Sequence, residues 1–173
     1  PSLWSSDTPY LYWVELSVKT ENGVVLDTWS GHVGIRNLFL SAQTGLLVNG
    51  QVTRLRGACI HHDNGVLGAA TFTQAEKRRV LQLKEAGFNC LRSAHHPMSK
   101  AMLEACDEYG MYVIDELYDM WTQSKNPNDN SRHFMEEWEE DVEKLVHKDY
   151  NHPSVIIYSL GNEIQEAGTP QGA

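Results

Sequence analysis

A carboxamide and a carboxylate stand side by side at Asn162 and Glu163, directly after a short apolar run. Residues 154–160 read SVIIYSL, a β-branched and apolar pattern typical of a strand buried on both faces. A carboxylate at the carboxyl end of a buried parallel strand occupies the position where α/β barrels carry their chemistry. Glu163 is therefore the first candidate catalytic group, and a helix-capping or ion-pair role is the alternative that the residues alone leave open.

Three earlier apolar segments also end in polar groups, at HHD (61–63), RSAHH (92–96) and DE (115–116), with Tyr118, Asp119 and Trp121 just beyond. Parallel strands direct their carboxyl ends to one edge of a sheet, so these side chains should converge. Imidazoles, carboxylates and amides bind hydroxyl groups, and an indole packs on an apolar ring face, so the mixture suits a sugar. Arg92 either contacts substrate or pairs with Asp115 or Glu116, and His62 and His96 are expected to point away from the site.

Alternating strand and helix patterns would position these groups. Thr73 with Glu76 predicts a capping box and a helix that stops at Gly87, and further helical patterns cover residues 99–109 and the segment from Phe134. Apolar strands are predicted at 52–59, 88–91, 111–114 and 154–160. The order β-α-β-α-β-α-β implies a parallel sheet with the helices outside, either an open sheet or half of an eight-stranded barrel.

The first 50 residues have a different character. Apolar residues alternate from Tyr12 to Val18, and Asn22-Gly23 predicts a hairpin whose second strand begins at Val24. Residues 39–45 read as a connector. A second Asn-Gly pair at positions 49–50 predicts another hairpin that leads into the first strand of the α/β pattern.

Composition narrows the classes of partner. The 173 residues carry a net charge of −9, with 41% hydrophobic and 21% charged residues, as in an ordinary soluble domain. The negative charge argues against binding to nucleic acid or anionic lipid, and no apolar run has membrane-spanning length. Cys59, Cys90 and Cys106 lack metal-site spacing, so we expect reduced thiols packed in the core of a cytoplasmic protein.

Four blocks together resemble glycoside hydrolase family 2, which includes β-galactosidases, β-glucuronidases and β-mannosidases. The blocks are RGACIHHD (56–63), FNCLRSAHHP (88–97), VIDE (113–116) and NHPSVIIYSLGNE (151–163). They lie between residues 56 and 163 in the family's order and spacing, and PxLWSxxxPYLY with Gly34–Arg36 resembles the end of the preceding immunoglobulin-like sandwich. The resemblance implies sandwich strands in residues 1–38 and the first half of a TIM (β/α)8 barrel, truncated after strand 4, in residues 39–173.

The resemblance also implies roles for particular residues. Glu163 matches the general acid/base, and Asn162 matches the amide that hydrogen-bonds the sugar 2-hydroxyl. His95 and His61 match residues that line the sugar subsite, and Arg92 matches an arginine that supports the catalytic carboxylates. Trp121 is expected to offer its ring face to the substrate. No cofactor or metal is expected, because Met120 and Thr122 stand where some β-galactosidases place magnesium ligands.

Retaining hydrolysis needs a second carboxylate about 5 Å from the first, as nucleophile. In the family this group lies on the seventh barrel strand, so we expect this chain to be a fragment that lacks it and has little or no turnover alone. Glu116, after the third strand, is expected to form an ion pair instead. A half barrel exposes two sheet edges, so the separate chain should pair with itself or with the missing half.

Four readings remain at this point. The LGNE motif favours an exo-acting glycosidase for terminal β-D-galactosides, and a β-glucuronidase of the same family is the alternative. A non-catalytic carbohydrate-binding or scaffold fragment is a third class. A metal-dependent barrel hydrolase using the histidines is the fourth, and the adjacent pair His61-His62 argues against it, because only alternate residues of a strand point inward.

Overall fold

The N-terminal segment forms a β-hairpin, as its alternating pattern predicts. A computed structural model describes residues 1–170 and 172, and in it β1 (Tyr12–Lys19) pairs antiparallel with β2 (Val25–Val33). Gly23 lies in the turn with φ of 83°, a conformation that glycine adopts without steric cost. The hairpin prediction is therefore confirmed, and its second strand extends as far as Val33.

A second, three-stranded antiparallel sheet follows. It consists of β3 (Leu38–Ser41), β4 (Gly45–Val48) and β5 (Gln51–Val52). The prediction of a connector at residues 39–45 was wrong, because Leu38–Ser41 pairs residue for residue with Val48–Gly45. The predicted strand 52–59 is divided as well, since Val52 ends β5 and the next strand starts only at Gly57. One predicted strand thus contributes to two different sheets.

The rest of the chain is the first half of a (β/α)8 barrel. Four parallel strands lie in chain order, β6 (Gly57–Ile60), β7 (Cys90–Ser93), β8 (Tyr112–Glu116) and β9 (Val155–Ser159). Helices α1 (Thr73–Glu85), α2 (Lys100–Tyr109) and α3 (Phe134–Asp149) connect them, with short 3₁₀ turns at Gly65–Leu67 and Asn130–Arg132. The parallel pairing predicted from the strand–helix alternation is confirmed.

Local capping differs between the first two helices. The side chain of Ser99 accepts a hydrogen bond from the backbone N–H of Met102 and caps α2, which ends at Gly110 in the left-handed region. The capping box predicted at Thr73 was wrong: Phe72 is the N-cap of α1 and makes no side-chain cap bond. Glu76, its presumed partner, is buried and pairs with Arg79.

Alternation along the barrel strands separates two clusters of buried side chains. Leu91, Val113 and Val155 face the helices and pack with residues such as Leu103 and Met111. The opposite face carries Cys90, Tyr112, Ile114 and Ile156, which pack with Val48 of the small sheet and with the fully buried indole of Trp4. The strands therefore have a helix-facing side and a barrel-interior side, and a residue's position in the alternation decides which it reaches.

The N-terminal segment is attached to the end of the barrel that lies opposite the strand tips. Trp4 donates its indole N–H to the carbonyl of Asp107 (2.8 Å) and packs edge-on against Tyr112. The guanidinium of Arg36 donates to the carbonyls of Pro153 and Val155 at the start of β9. These contacts join the hairpin region to the barrel sheet.

Two expectations about burial were wrong. Ile157 of β9 is 36% exposed, because β9 is the edge strand of the barrel sheet here and one of its faces is only partly covered. Cys59 is exposed on the other edge strand, β6, whereas Cys90 and Cys106 are buried as expected. Burial raises the pKa of the Cys90 thiol to about 11. None of the helices in the described part of the chain has the length and apolar character needed to cross a bilayer.

Candidate active site

Glu116 is the centre of a polar cluster at the carboxyl ends of the barrel strands. Its side chain is fully buried, and it accepts hydrogen bonds from Arg92 (2.7 Å), His95 Nδ1 (2.7 Å) and the hydroxyl of Ser159 (2.7 Å). Burial alone would raise the pKa of Glu116, but the donors from Ser159, His95 and Arg92 outweigh it and hold the pKa below the ordinary glutamate value. An ionised carboxylate at this position therefore organises three neighbouring strands.

Arg92 connects this carboxylate to the candidate sugar-binding amide. Its Nε and Nη2 atoms both reach Glu116, and Nη2 also donates to Oδ1 of Asn162 at 3.0 Å. The ion pair with Glu116, one of the two roles left open for Arg92, is thus present. About a third of the Arg92 side chain remains exposed, which leaves the guanidinium accessible from the site.

Asn162 is held from both ends of its amide. While Oδ1 accepts from Arg92, Nδ2 donates to Oδ1 of Asp119 at 2.9 Å, and the backbone N–H donates to the carbonyl of Tyr118. A carboxamide nitrogen carries two N–H groups, so one donor remains for a ligand hydroxyl. The orientation of this amide is therefore fixed by the protein before any sugar binds.

Lys125 completes the support of Asn162. Its ammonium group donates to Oδ1 of Asp119 (2.9 Å) and to the backbone carbonyl of Asn162 (2.6 Å). Burial opposes ionisation of Asp119, but hydrogen bonds from Asn162 and Lys125 lower its pKa below the ordinary aspartate value. Asp129 holds the loop that carries Lys125, by accepting hydrogen bonds from the backbone N–H groups of Lys125 and Asn126.

Glu163 follows Asn162 directly and is exposed at the open side of the barrel sheet. Its backbone φ is 46°, in the left-handed region that a residue with a Cβ seldom occupies. Such backbone strain is typical of positions whose side chain is aimed for function. In the extended continuation of β9, residue 163 would project differently, so the turn decides where this carboxylate lies.

The four histidines of the two doublets separate into two pairs. The rings of His61 and His95 lie edge to face with centroids 5.7 Å apart, and those of His62 and His96 lie 5.0 Å apart. Because ionised Glu116 can only accept, Nδ1 of His95 carries the proton of this hydrogen bond. His61 and His95, the two predicted site residues, therefore form one pair, and His62 and His96 form the other.

His61 is also tied to α1. Arg79 donates to the backbone carbonyl of His61 (2.9 Å), and its other nitrogen pairs with the buried carboxylate of Glu76. Glu76 therefore holds Arg79 in place beside His61, a structural role that the capping-box prediction did not include.

Trp121 lies beside the end of β9. Its indole N–H donates to the carbonyl of Leu160 (3.0 Å), and its ring stacks on Phe134 with centroids 5.9 Å apart. One ring face is thus occupied by Phe134. Buried Glu166 holds the same loop by accepting hydrogen bonds from the backbone N–H groups of Thr122 and Gln123, both at 2.8 Å.

A cavity of about 520 Å³ lies between this rim and α3. His95 and Asp119 contribute to its wall, together with His96, Tyr118, Asp129, Asn130, Asp141, Lys144 and Lys148. Glu163 and Asn162 lie outside it, since the sheet edge beside β9 is uncovered here. Within residues 1–170 and 172, no three His, Cys, Asp or Glu side chains converge closely enough to hold a metal ion.

Several residues that build the site could not be recognised as such in the sequence. Lys125 and Asp129 fall in a polar loop without periodicity, and Glu166 follows the last strand in a segment of turns. Ser159 had a usable signal, because it is the polar residue of an apolar strand three positions before Asn162. The loop residues had none, since only the folded loop brings them to Asn162 and Trp121.

Comparison with known proteins gives the same assignment for nearly the whole chain. The family model described as glycosyl hydrolases family 2, TIM barrel domain, matches residues 41–171, and the model described as glycosyl hydrolases family 2 matches residues 1–36. The β-galactosidase BoGH2A of Bacteroides ovatus is 43% identical over 166 residues, which is 96% of this chain and 19% of that protein.

Comparison with solved structures supports the same family assignment. A glycosyl hydrolase family 2 member from Bacteroides cellulosilyticus superposes with a TM-score of 0.95 at 47% identity, over 99% of this chain and 22% of its own. A β-glucuronidase from Ruminococcus gnavus, solved with a C6-substituted uronic isofagomine, gives a TM-score of 0.83 at 30% identity, over 95% of this chain and 28% of its own. The chain thus spans about a fifth to a quarter of the length of these relatives.

Proposed function

The chain belongs to glycosyl hydrolase family 2, and from that premise we propose that it is a segment of a retaining, exo-acting glycosidase that hydrolyses terminal β-D-galactosides. Glu163 would be the general acid/base. The β-galactosidase from Bacteroides ovatus, 43% identical, supports the choice of glycone. The nucleophile carboxylate would come from barrel strands of the longer protein outside these 173 residues, so we expect the segment alone to have little or no turnover.

One observation carries the proposal: an exposed carboxylate follows an amide whose orientation is fixed on both sides. Arg92 and Asp119 hold the amide of Asn162, and the left-handed backbone at the next residue, the exposed Glu163, supports a functional role for its carboxylate. A fixed amide donor for the sugar 2-hydroxyl next to an accessible acid is the arrangement that glycoside cleavage requires. A left-handed backbone is uncommon for a glutamate and is found preferentially at functional sites, which favours this proposal.

Each residue then has a physical task. Glu163 would protonate the glycosidic oxygen as the bond breaks, and later take a proton from the attacking water. Asn162 would donate its remaining N–H to the 2-hydroxyl, where hydrogen bonds strengthen as the transition state forms. His61 and His95 would accept or donate to ring hydroxyls, and Arg92 would hold Glu116 and Asn162 in place. Trp121 would offer the sugar the ring face that Phe134 leaves open.

The test is Glu163→Gln in the full-length protein that carries this segment. With nitrophenyl β-galactoside we expect kcat to fall by about 10²–10⁴-fold, because the amide has the same shape but cannot transfer a proton. Glu139→Gln, an exposed position on α3, is the matched control and should leave the rate unchanged. Equal rates for Glu163→Gln and the parent would remove Glu163 from the mechanism and favour a non-catalytic carbohydrate-binding role.

A β-glucuronidase is the second candidate, because the superposable structures include the enzyme from Ruminococcus gnavus. Assaying the parent with nitrophenyl β-galactoside and nitrophenyl β-glucuronide side by side decides between the two. The two cations that hold the site, Arg92 and Lys125, are each paired with a carboxylate, Glu116 and Asp119 respectively. Turnover of the glucuronide alone would reassign the glycone and leave the role of Glu163 intact.

A further inference from the structure

Two carboxyl groups are buried together on the helix-facing side of β8, away from the site. The side chains of Asp115, on β8, and Asp149, at the end of α3, are both fully buried and lie within hydrogen-bonding reach of each other. Each group has one oxygen, Oδ2, for which the described residues supply no donor. Two ionised carboxylates have no donor to offer each other, so a hydrogen bond between these two groups would need one proton held by the pair.

The other oxygen of each group is satisfied by the surrounding elements. Oδ1 of Asp115 accepts from the backbone N–H of Met98 (2.8 Å) and from the hydroxyl of Ser93 (3.0 Å). Oδ1 of Asp149 accepts from Lys148, which also donates to the carbonyl of Met98 (2.8 Å). The pair therefore connects β7, β8 and α3, and both of its members are linked to the backbone of Met98.

If both carboxyl groups were ionised, the pair would carry two negative charges, and the cation in contact with it would offset one of them. Lys148 is the cation in direct contact with it, on α3. Tyr158 of β9 faces both carboxyl groups, and their charge adds to burial in raising its pKa to about 12, so it stays neutral. Burial lowers the pKa of His96, which faces Asp115 from the loop after β7. Arg36 lies behind Tyr158 and donates to backbone carbonyls.

The pair is linked to the candidate active site through one hydroxyl. Ser93 donates to Asp115 and accepts a hydrogen bond from the backbone N–H of Glu116 at 2.7 Å. The adjacent residues of β8 thus point to opposite sides, with Asp115 towards the helices and Glu116 into the cluster with Arg92 and His95. Movement of Asp115 would shift the backbone that aims Glu116.

We propose that Asp115 and Asp149 share a single proton and act as positioning residues, which hold α3 against β8 and, through Ser93, hold Glu116 in place. The role in catalysis rests on the proposed function, whereas the shared proton does not. When the proton is bound, the two carboxyl groups hydrogen-bond each other and carry one negative charge between them, which Lys148 balances. Without it, two charges face each other in a buried site, and the contact between α3 and β8 weakens.

The sign of the pH dependence follows from this arrangement. Burial, and next the contact with Asp115, raise the pKa of Asp149 to about 7, whereas an unfolded aspartate titrates near about 3.9. The folded state thus binds the proton more tightly, so the stability that this proton contributes is fully present below about pH 4, falls as the pH rises to about 7, and levels off above that. Acidic partners with lowered pKa values, such as Glu116, act in the opposite direction below about pH 4.

Asp149→Asn tests the shared proton in the full-length protein. The asparagine can donate to Asp115 and accept from Lys148, but it cannot ionise, so it fixes the bonding of the singly protonated pair. We would measure hydrogen–deuterium exchange of peptides covering residues 134–160, corrected for the intrinsic pH dependence of exchange. In the parent, protection should fall by about tenfold or more between pH 6 and 9, as a pKa near 7 requires.

In Asp149→Asn, and equally in Asp115→Asn, protection should change less than about threefold over the same range, since neither pair can lose a shared proton. The exposed control Glu139→Gln should follow the parent. Parallel profiles for the parent and both asparagine variants would overturn the proposal, as would protection in the parent that rises towards pH 9.

The positioning role has a separate readout. For the substrate that the parent turns over, kcat should decline above pH 7 in the parent and hold to higher pH in Asp149→Asn, with KM changed less than about twofold. If kcat declined equally above pH 7 in the parent and in Asp149→Asn, the pair would not position Glu116. The hydrogen–deuterium exchange result on the shared proton would be unaffected. If the full-length protein hydrolyses neither glycoside, the proposed function fails, and the exchange experiment still decides on the shared proton.

Discussion

At the residue scale, the site depends on polar side chains that hold one another before substrate arrives. Glu116 collects three donors, and Asn162 uses both ends of its amide. Preorganised dipoles of this kind cost no reorganisation during reaction, which is why they are effective in catalysis. Groups left for a ligand include one N–H of Asn162, the rings of His61 and His95, part of Arg92 and the carboxylate of Glu163.

Glu116→Gln should disconnect this cluster. The amide cannot carry the charge that Arg92 and His95 face, so we expect the free energy of unfolding to fall by ~1–3 kcal/mol, less than for a fully buried ion pair because Arg92 is partly exposed. Because the pKa of Glu116 is lowered in the folded state, its negative charge stabilises the fold above about pH 4.3. This stabilisation is lost as the pH falls and the carboxylate is protonated.

Urea unfolding of parent and variant between pH 3 and 7 checks this. The difference between parent and Glu116→Gln should be largest at pH 6–7 and shrink towards pH 3. Glu139→Gln serves as the exposed control and should match the parent throughout. A difference that is independent of pH would contradict the assignment of an ionised Glu116.

At the element scale, each strand serves two sides of the barrel. In β8, Asp115 reaches the helices and Glu116 reaches the site, so a shift of one residue would exchange a structural carboxyl group for a site carboxylate. Helix ends matter for the same reason, since α2 begins just after the loop that carries His95. The hydrogen bond from Met102 to Ser99 fixes that start.

Ser99→Ala and Thr73→Ala separate a real cap from an apparent one. Loss of the Ser99 side chain leaves the N–H of Met102 unsatisfied, so the free energy of unfolding should fall by ~0.5–2 kcal/mol. Thr73 is exposed and makes no cap bond, so its change to alanine should stay within about 0.5 kcal/mol. Thermal or urea unfolding measures both, and equal losses would contradict the cap assignment.

At the scale of the whole molecule, the N-terminal segment and the barrel form one structure. The indole of Trp4 is fully buried between Tyr112, Val48 and Cys90, and Arg36 binds the start of β9. The barrel strands leave β6 and β9 as free edges, so association of the separate chain with itself or with the missing half stays a prediction. The domain limits at residues 38 and 39 also stay a prediction.

Trp4→Ala should therefore affect the barrel, although residue 4 lies far from it in sequence. Removing a fully buried indole, together with its hydrogen bond to Asp107, should cost ~3–5 kcal/mol in unfolding free energy. Trp13→Ala is the matched control: this tryptophan is 56% exposed, and its loss should cost less than about 1 kcal/mol. Urea unfolding compares the two, and similar costs would contradict the role of Trp4 in joining the N-terminal segment to the barrel sheet.

The sequence by itself determined the order of elements, the parallel pairing and the residues at the strand ends. Hydrophobic periodicity and Asn-Gly turns are local signals, so the hairpin 12–33 and the four barrel strands could be read from them. The same signals failed at Leu38–Ser41 and Thr73, where pairing or helix start depended on more distant contacts. The family resemblance extended the reading to Glu163 and Asn162.

Only the tertiary structure decided which polar groups meet. Lys125, Asp129 and Glu166 support the site from loops, and nothing in their local sequence indicates which strand end they reach. The sharing of a proton by Asp115 and Asp149 depends on α3 packing against β8, 34 positions apart in sequence. Hydrogen bonds need particular distances and directions, and these are set by long-range packing that periodicity does not encode.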